Sequence, residues 1–320
     1  MKLEKFFAMC IFGVGVLSAA RPVAAADAVW PAKTHYHYAK IKGQNIFYRE
    51  AGDPARPTII LLHGFPSSSH TYRELIPLLS GRFHVIAPDH LGSGYSTHAD
   101  PATTAYTFDL LAEYVLALIK QLEIEDYVLY MQDFGAPVGY RVMMSDPARV
   151  RGIIAQNANA YLEGMTEDKQ AFFRSARQDR SEENVAKLFE FVGARAVKNN
   201  QYLRDVKGRP EIMSPDSWTH DNHFLEGEED RAIQVQLFQD YYTNLLAYPD
   251  WQTFLRERQP PALVVWGKND PVFRTPGAIA YLNDLPHATV HLLDAGHFAV
   301  EECPVDIAQQ IISFMESLPE

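Results

Sequence analysis

The sequence predicts an α/β fold: a mostly parallel eight-stranded sheet with flanking helices and an inserted helical cap. Three observations predict it. Short apolar runs alternate with helical patterns in the first half of the chain and again near its end. Several runs, such as Thr58–Leu62 and Tyr127–Gln132, are apolar without polar alternation, as strands buried on both faces of a parallel sheet are. Between Asn157 and about Arg258 the pattern changes to helical periodicity with many charges and no convincing strand.

The elements follow in chain order. Residues 1–26 read as a signal peptide: Lys2 and Lys5 form a charged start, Phe6 to Ala20 is apolar, and Ala24-Ala25-Ala26 offers a cleavage site. The apolar run of 15 residues is shorter than the ~20 a membrane span needs. The chain is therefore expected to be exported, periplasmic or secreted, without stable membrane association after cleavage. Residues 27–157 should form the first part of the core. Its strands are expected at His35–Ile41, Asn45–Glu50, Thr58–Leu62, His84–Ala87, Tyr127–Gln132 and Gly152–Gln156. The first two alternate in polarity and suit an antiparallel edge hairpin around Lys42-Gly43. Leu110, Leu111, Val115, Leu118 and Leu122 place a helix over Phe108–Leu122. Residues 158–258 are the expected cap. Gln259-Pro260-Pro261 marks re-entry into strand pattern, and residues 259–320 complete the core with strands Ala262–Trp266 and Thr289–Leu293 and a helix over Asp306–Met315.

The whole chain carries a net charge of −11. Removal of residues 1–26 takes away Lys2, Lys5, Arg21 and Glu4, leaving 26 basic against 39 acidic residues, a net of −13. That balance argues against nucleic acid or an anionic membrane as partner. Cys10 falls within the signal peptide and Cys303 is left alone, so no intrachain disulfide is expected.

Three polar residues follow strand ends. Asp133 follows Tyr127–Gln132 and leads through Phe134-Gly135 into a helical segment, the layout of a nucleophile elbow. Asp270 follows Ala262–Trp266, and His297 follows Thr289–Leu293. Ligands of open α/β sheets bind beyond the carboxyl ends of the strands, so all three should gather on one edge. Their order is nucleophile, acid, histidine. His63-Gly64-Phe65-Pro66 follows Thr58–Leu62 and can aim the Phe65 backbone N–H at the same place, with the Phe134 N–H as second donor of an oxyanion hole. Asp133 alone would also suit a helix N-cap, and Asp270 a turn before Pro271. Asp133-Phe134-Gly135 matches a kinase metal motif, but no phosphate loop or His-Arg-Asp loop accompanies it. His220 and His223 lack a third spaced ligand, so no metal site is expected.

On these motifs, together with Asp89-His90-Leu91-Gly92-Ser93-Gly94-Tyr95-Ser96, the chain resembles the aspartate-nucleophile branch of the α/β-hydrolase fold, the epoxide hydrolases and haloalkane dehalogenases. The resemblance covers nearly the whole chain beyond residue 26. It implies two steps without a cofactor: Asp133 attacks an electrophilic carbon to form an alkyl ester, and His297, oriented by Asp270, activates water to hydrolyse it. Met131, two before the nucleophile, departs from the small residue usual in serine elbows.

The two chemistries differ in what steadies the leaving group. Dehalogenases are expected to offer side-chain N–H donors beside the nucleophile, where this chain has Phe134 and Phe65, which donate none; Trp218 and Trp251 in the cap are the alternatives. Epoxide hydrolases use cap tyrosines. Gln239-Asp240-Tyr241-Tyr242-Thr243-Asn244 resembles the second cap-tyrosine segment, with Tyr242 as the match and Tyr241 as backup. No tyrosine falls in Gln170–Phe191, where the first belongs, which leaves Tyr161, His220 or His223 as substitutes. The expected partners are a small apolar substrate and water. Epoxide opening to a diol is the favoured reading. Haloalkane dehalogenation, another hydrolysis of a small apolar ester or related substrate, and a non-catalytic ligand-binding role are the alternatives.

Overall fold

In the computed structural model, residues 31–319 are described; residues 1–26, expected as a signal peptide, lie outside them. Eight strands form one sheet: β1 (His35–Ile41), β2 (Gln44–Ala51), β3 (Thr58–Leu62), β4 (His84–Pro88), β5 (Tyr127–Gln132), β6 (Val150–Gln156), β7 (Ala262–Gly267) and β8 (Thr289–Leu293). Their order across the sheet is β1-β2-β4-β3-β5-β6-β7-β8. β1 and β2 form an antiparallel hairpin, β2 runs antiparallel to β4, and every later pairing is parallel. Lys42 and Gly43 turn the hairpin with φ of 48° and 87°, the left-handed pair that fits a two-residue loop to twisted strands. The central strands β3, β4, β5 and β7 are buried along their whole length, whereas β8, at the far edge, is not.

Twelve α-helical segments accompany the sheet among the described residues: α1 (Leu75–Ser80), α2 (Phe108–Gln121), α3 (Gly135–Ser145), α4 (Glu167–Gln178), α5 (Glu182–Phe191), α6 (Ala194–Ala196), α7 (Pro215–His223), α8 (Glu228–Asp240), α9 (Tyr242–Arg258), α10 (Thr275–Asp284), α11 (Ala299–Glu302) and α12 (Pro304–Ser317). α2 shows why such segments form. Thr107 caps it by accepting from the Leu110 N–H at 3.1 Å, Asp109 lies in its first turn and Lys120 in its last. Its buried stripe of Leu111, Val115 and Leu118 packs into the core.

Two apolar clusters occupy the two faces of the sheet. The larger, containing Leu62, Met131 and Trp266, continues into the helices between β6 and β7 through Phe173, Leu188, Leu237 and Leu255. That interval, α4 to α9, contains no strand among the described residues. It belongs to one compact unit with the sheet rather than standing as a separate body. Met131 is accommodated by a glycine: a Cβ on Gly139 would come within 2.4 Å of its sulfur. The large residue before the elbow is thus matched by a small one on α3.

Candidate active site

The β5–α3 turn places Asp133 at φ 50°, a left-handed conformation that is costly for a side chain with a Cβ. Such a φ is worth roughly 1–3 kcal/mol of strain and persists only where the surroundings hold it. They do so here by close approach. A Cβ on Gly135 would lie 2.0 Å from the Leu62 carbonyl oxygen, and one on Gly64 would lie 2.3 Å from the Asp133 Cβ. No other residue type fits either position without moving the turn. The Gly64 N–H donates to Gln132 Oε1 at 3.0 Å, tying the loop after β3 to the end of β5.

This docking gives the two oxygens of Asp133 different surroundings. Oδ1 accepts the Phe65 N–H at 2.7 Å. Oδ2 lies 3.6 Å from His297 Nε2, too long for a hydrogen bond, and accepts no hydrogen bond among the described residues. The Phe134 N–H, just past the nucleophile, has no acceptor among the described residues. The side chain is almost wholly enclosed, with Asp133 7% exposed.

His297 and Asp270 are fixed more tightly. His297 Nδ1 donates to Asp270 Oδ2 at 2.6 Å. The same oxygen accepts Asn157 Nδ2 at 2.9 Å, and Oδ1 accepts the Val272 and Phe273 N–H groups at 2.7 and 3.1 Å. Asn157, at φ 43° directly after β6, also accepts the Gly267 N–H at 2.9 Å through its own Oδ1. It therefore joins the ends of β6 and β7. The His297 N–H donates to Asp205 Oδ2 at 3.2 Å, and Arg204 pairs with Asp205 at 2.7 Å. Burial alone would raise Asp270, but the His297 charge and hydrogen bond hold it below the usual carboxylate range. Burial alone would lower His297; the charge of Asp270, with support from both carboxylates, outweighs it and raises the imidazole to about 10. His297 lies between the Asp270 and Asp133 carboxyl groups, which favour its protonated form.

The residues expected to form the triad and oxyanion hole are thus adjacent. The cap tyrosine needs correction. Tyr242 is turned away: its hydroxyl accepts from Arg174 Nε at 3.4 Å in an exposed contact, and the same guanidinium lies over its ring. Tyr241 faces inward at 1% exposure, stacked on Phe173 at 3.9 Å and 5.6 Å from the Phe134 ring. Burial, then the neighbouring Tyr248 and Asp133, hold its phenol well above the usual value, so it is a neutral donor at any working pH. The proposed substitutes are engaged elsewhere. Tyr161 donates to Asp284 at 2.8 Å, His220 stacks on His70 at 4.0 Å, and His223 is an exposed surface residue. Trp251 stacks on Tyr140, and Trp218 lies under the Lys198 ammonium.

Opposite Asp133 the wall is aromatic. Phe238 lies 4.9 Å from Phe65 and 5.2 Å from Phe134, and Phe191 packs on Phe238 at 5.0 Å. One cation joins them, unnoticed in the sequence: Lys169 Nζ sits 4.9 to 5.7 Å from the rings of Phe172, Phe173 and Phe191. It pairs with no carboxylate among the described residues. Asn157, Asp205 and Tyr248 were missed as well. Asn157 had a usable signal, a polar residue directly after an apolar strand, as Asp133 has. A separate cleft of about 820 Å³ lies on the opposite edge, bordered by Pro57, Tyr127 and Met315; it contains Thr58, whose hydroxyl is 3.1 Å from His84 Nδ1. No cluster of metal-ligating side chains is present among the described residues.

Residues 57–304 match the model of the alpha/beta hydrolase fold family. An uncharacterised hydrolase of Saccharomyces cerevisiae is 40% identical over 275 residues, covering 85% of this chain and 93% of that protein. Haloalkane dehalogenase 2 of Mycobacterium bovis is 28% identical over 265 residues, 80% of this chain and 87% of that one. Among solved structures, the epoxide hydrolase VrEH1 from Vigna radiata superposes with a TM-score of 0.71 at 18% identity, over 89% of this chain and 98% of that one, a likeness of fold. With the family model and a 40% relative both spanning most of its length, the chain belongs to the alpha/beta hydrolase fold family and is an α/β-fold hydrolase.

Proposed function

We propose that this hydrolase acts through an aspartyl alkyl ester and opens an epoxide to a diol. The observation that carries the reading is the unequal treatment of the Asp133 oxygens. Oδ1 is anchored at 2.7 Å by the Phe65 N–H, while Oδ2 is left free on the side of His297. The free oxygen attacks an epoxide carbon. The C–O bond of the ring breaks, and the departing oxygen takes a proton from a donor on the opposite wall, where Tyr241 stands. The product is a neutral ester of Asp133.

Ester formation changes the base. Asp133 no longer offers His297 a negative charge, so its part in raising the imidazole disappears while that of Asp270 remains, and the pKa falls. His297 can then lose its proton and take one from water. The hydroxide attacks the Asp133 carboxyl carbon, and the oxyanion develops on Oδ1, where the Phe65 N–H points, with the unengaged Phe134 N–H as the second donor. Collapse releases the diol and restores the carboxylate. A serine at position 133 would form an ether, which this step cannot cleave.

Halide release is the second reading, favoured by the 28% identity to a haloalkane dehalogenase. Against it, Phe134 and Phe65 supply no side-chain N–H to the leaving group. A panel of epoxides and haloalkanes decides: the proposal expects diol without halide, and halide release without diol refutes it. Mass spectrometry of His297→Gln incubated with an epoxide should show the adduct on Asp133; an unmodified peptide after substrate turnover by the wild type would remove the ester. Export of the protein belongs to the same proposal, resting on residues 1–26, and cell fractionation tests it.

A further inference from the structure

We propose that Lys169 is a second proton donor to the opening ring, acting with Tyr241 across the cavity from Asp133. This inference rests on the epoxide reading. The ring contacts of this half-buried side chain carry it. The Lys169 ammonium projects from α4 among Phe172, Phe173 and Phe191 without a carboxylate partner among the described residues. A long charged side chain placed against three rings normally extends its tip to water or to an acid. The rings around it are those that line the site. Phe173 stacks on Tyr241 at 3.9 Å, and Phe191 packs on Phe238, which borders both Phe65 and Phe134. Tyr241 and Lys169 therefore share Phe173 as a neighbour.

The electrostatics suit the role. Burial, then Arg204, pulls the ammonium down to about 8, while Asp270 and Asp133 pull against them. An acid titrating near the working pH transfers its proton most effectively. Tyr241, held far above that range, steadies the developing alkoxide as a hydrogen-bond donor. The step balances. As Asp133 Oδ2 bonds to carbon, the ring C–O pair passes to oxygen, which takes a proton from Lys169 and leaves a neutral amine. Ester hydrolysis releases carboxylate, diol and one proton, and that proton reloads the amine.

The test is the single-turnover rate of Asp133 alkylation by a neutral epoxide, followed across pH 6 to 10 in wild type, Lys169→Met and Lys169→Gln. Wild-type alkylation should fall as pH rises through about 8. Both variants should alkylate on the order of 10²-fold more slowly at pH 7 and lose that limb, while the formed ester hydrolyses at an unchanged rate. The unchanged second step shows that the variants are folded. Three results overturn the inference: wild-type alkylation in either folded variant, survival of the limb in both, or a loss confined to the KM of carboxylate-bearing epoxides. The last would make the ammonium an anion anchor. If wild type opens no epoxide, the epoxide reading falls and the lysine role falls with it; if it does and the variants match it, only the lysine role falls.

Discussion

The two sides of the site are built on opposite terms. On the sheet side, the Asp270 carboxylate is saturated: Oδ2 takes His297 and Asn157, and Oδ1 takes two backbone N–H groups. On the side of the helical interval, the Tyr241 hydroxyl and Lys169 ammonium stand among phenylalanines without an acidic partner. The first wall is preorganised and costs little to hold during reaction. The second holds an ammonium with no carboxylate partner among the described residues, beside a phenol whose hydroxyl bonds Tyr248. A polar group satisfied by its neighbours positions; a polar group left unsatisfied at a cavity recognises.

The sharpest way to break this comparison is Asp133→Ala. If the sheet wall carries the chemistry, epoxide turnover should fall by roughly 10⁴-fold or more. Activity within tenfold of wild type would move the reaction to the donors alone. Asp270→Asn should cost roughly 10²–10⁴-fold, because the amide cannot hold His297 charged or in the required tautomer. Its signature is accumulation of the ester seen by mass spectrometry; an equal slowing of alkylation would show that Asp270 serves both steps. Tyr241→Phe tests the other wall, with alkylation slowed by about 10–100-fold and Tyr242→Phe within about twofold of wild type. Reversal of that ranking would restore Tyr242 as the donor.

The smallest effect is on stability. His297 has a raised pKa in the folded protein, so its contribution is complete below the unfolded value near 6.5 and disappears as pH climbs through about 10. The Tm advantage of wild type over His297→Gln should shrink across that window. A difference that grows with pH would mean that the imidazole is buried neutral.

The same division explains what was legible in the sequence. Asp133, Asp270 and His297 each follow an apolar run, and parallel strands deliver their carboxyl ends to one edge, so local pattern implies a shared location. Strand spans such as His35–Ile41 and Thr289–Leu293 were readable to the residue because turn residues bound them. The helical wall offered no such anchor. Tyr241 is at once the last cap of α8 and the first of α9, so the helical phase breaks just where Tyr241 and Tyr242 must be told apart. Lys169 follows Glu167-Asp168 in a charged stretch that reads as a solvated face. Only packing against Phe172 and Phe191 turns it inward. Pro249 sits inside α9, where a break is the local expectation; it is exposed there, and the helix continues past it.

The bond from the His297 N–H to Asp205 acquires a second meaning in this light. Asp205 belongs to the interval between β6 and β7, yet it holds the backbone of His297, with Arg204 clamped on its carboxylate. There is no slack in the contact, since a Cβ on Gly296 would meet the Asp205 Cβ at 2.4 Å. A ligand that fits only by displacing this stretch therefore disturbs the imidazole as well as its own seat. Size discrimination is then expected in turnover as well as in affinity: an oversized substrate can alkylate Asp133 and the ester still wait for its water.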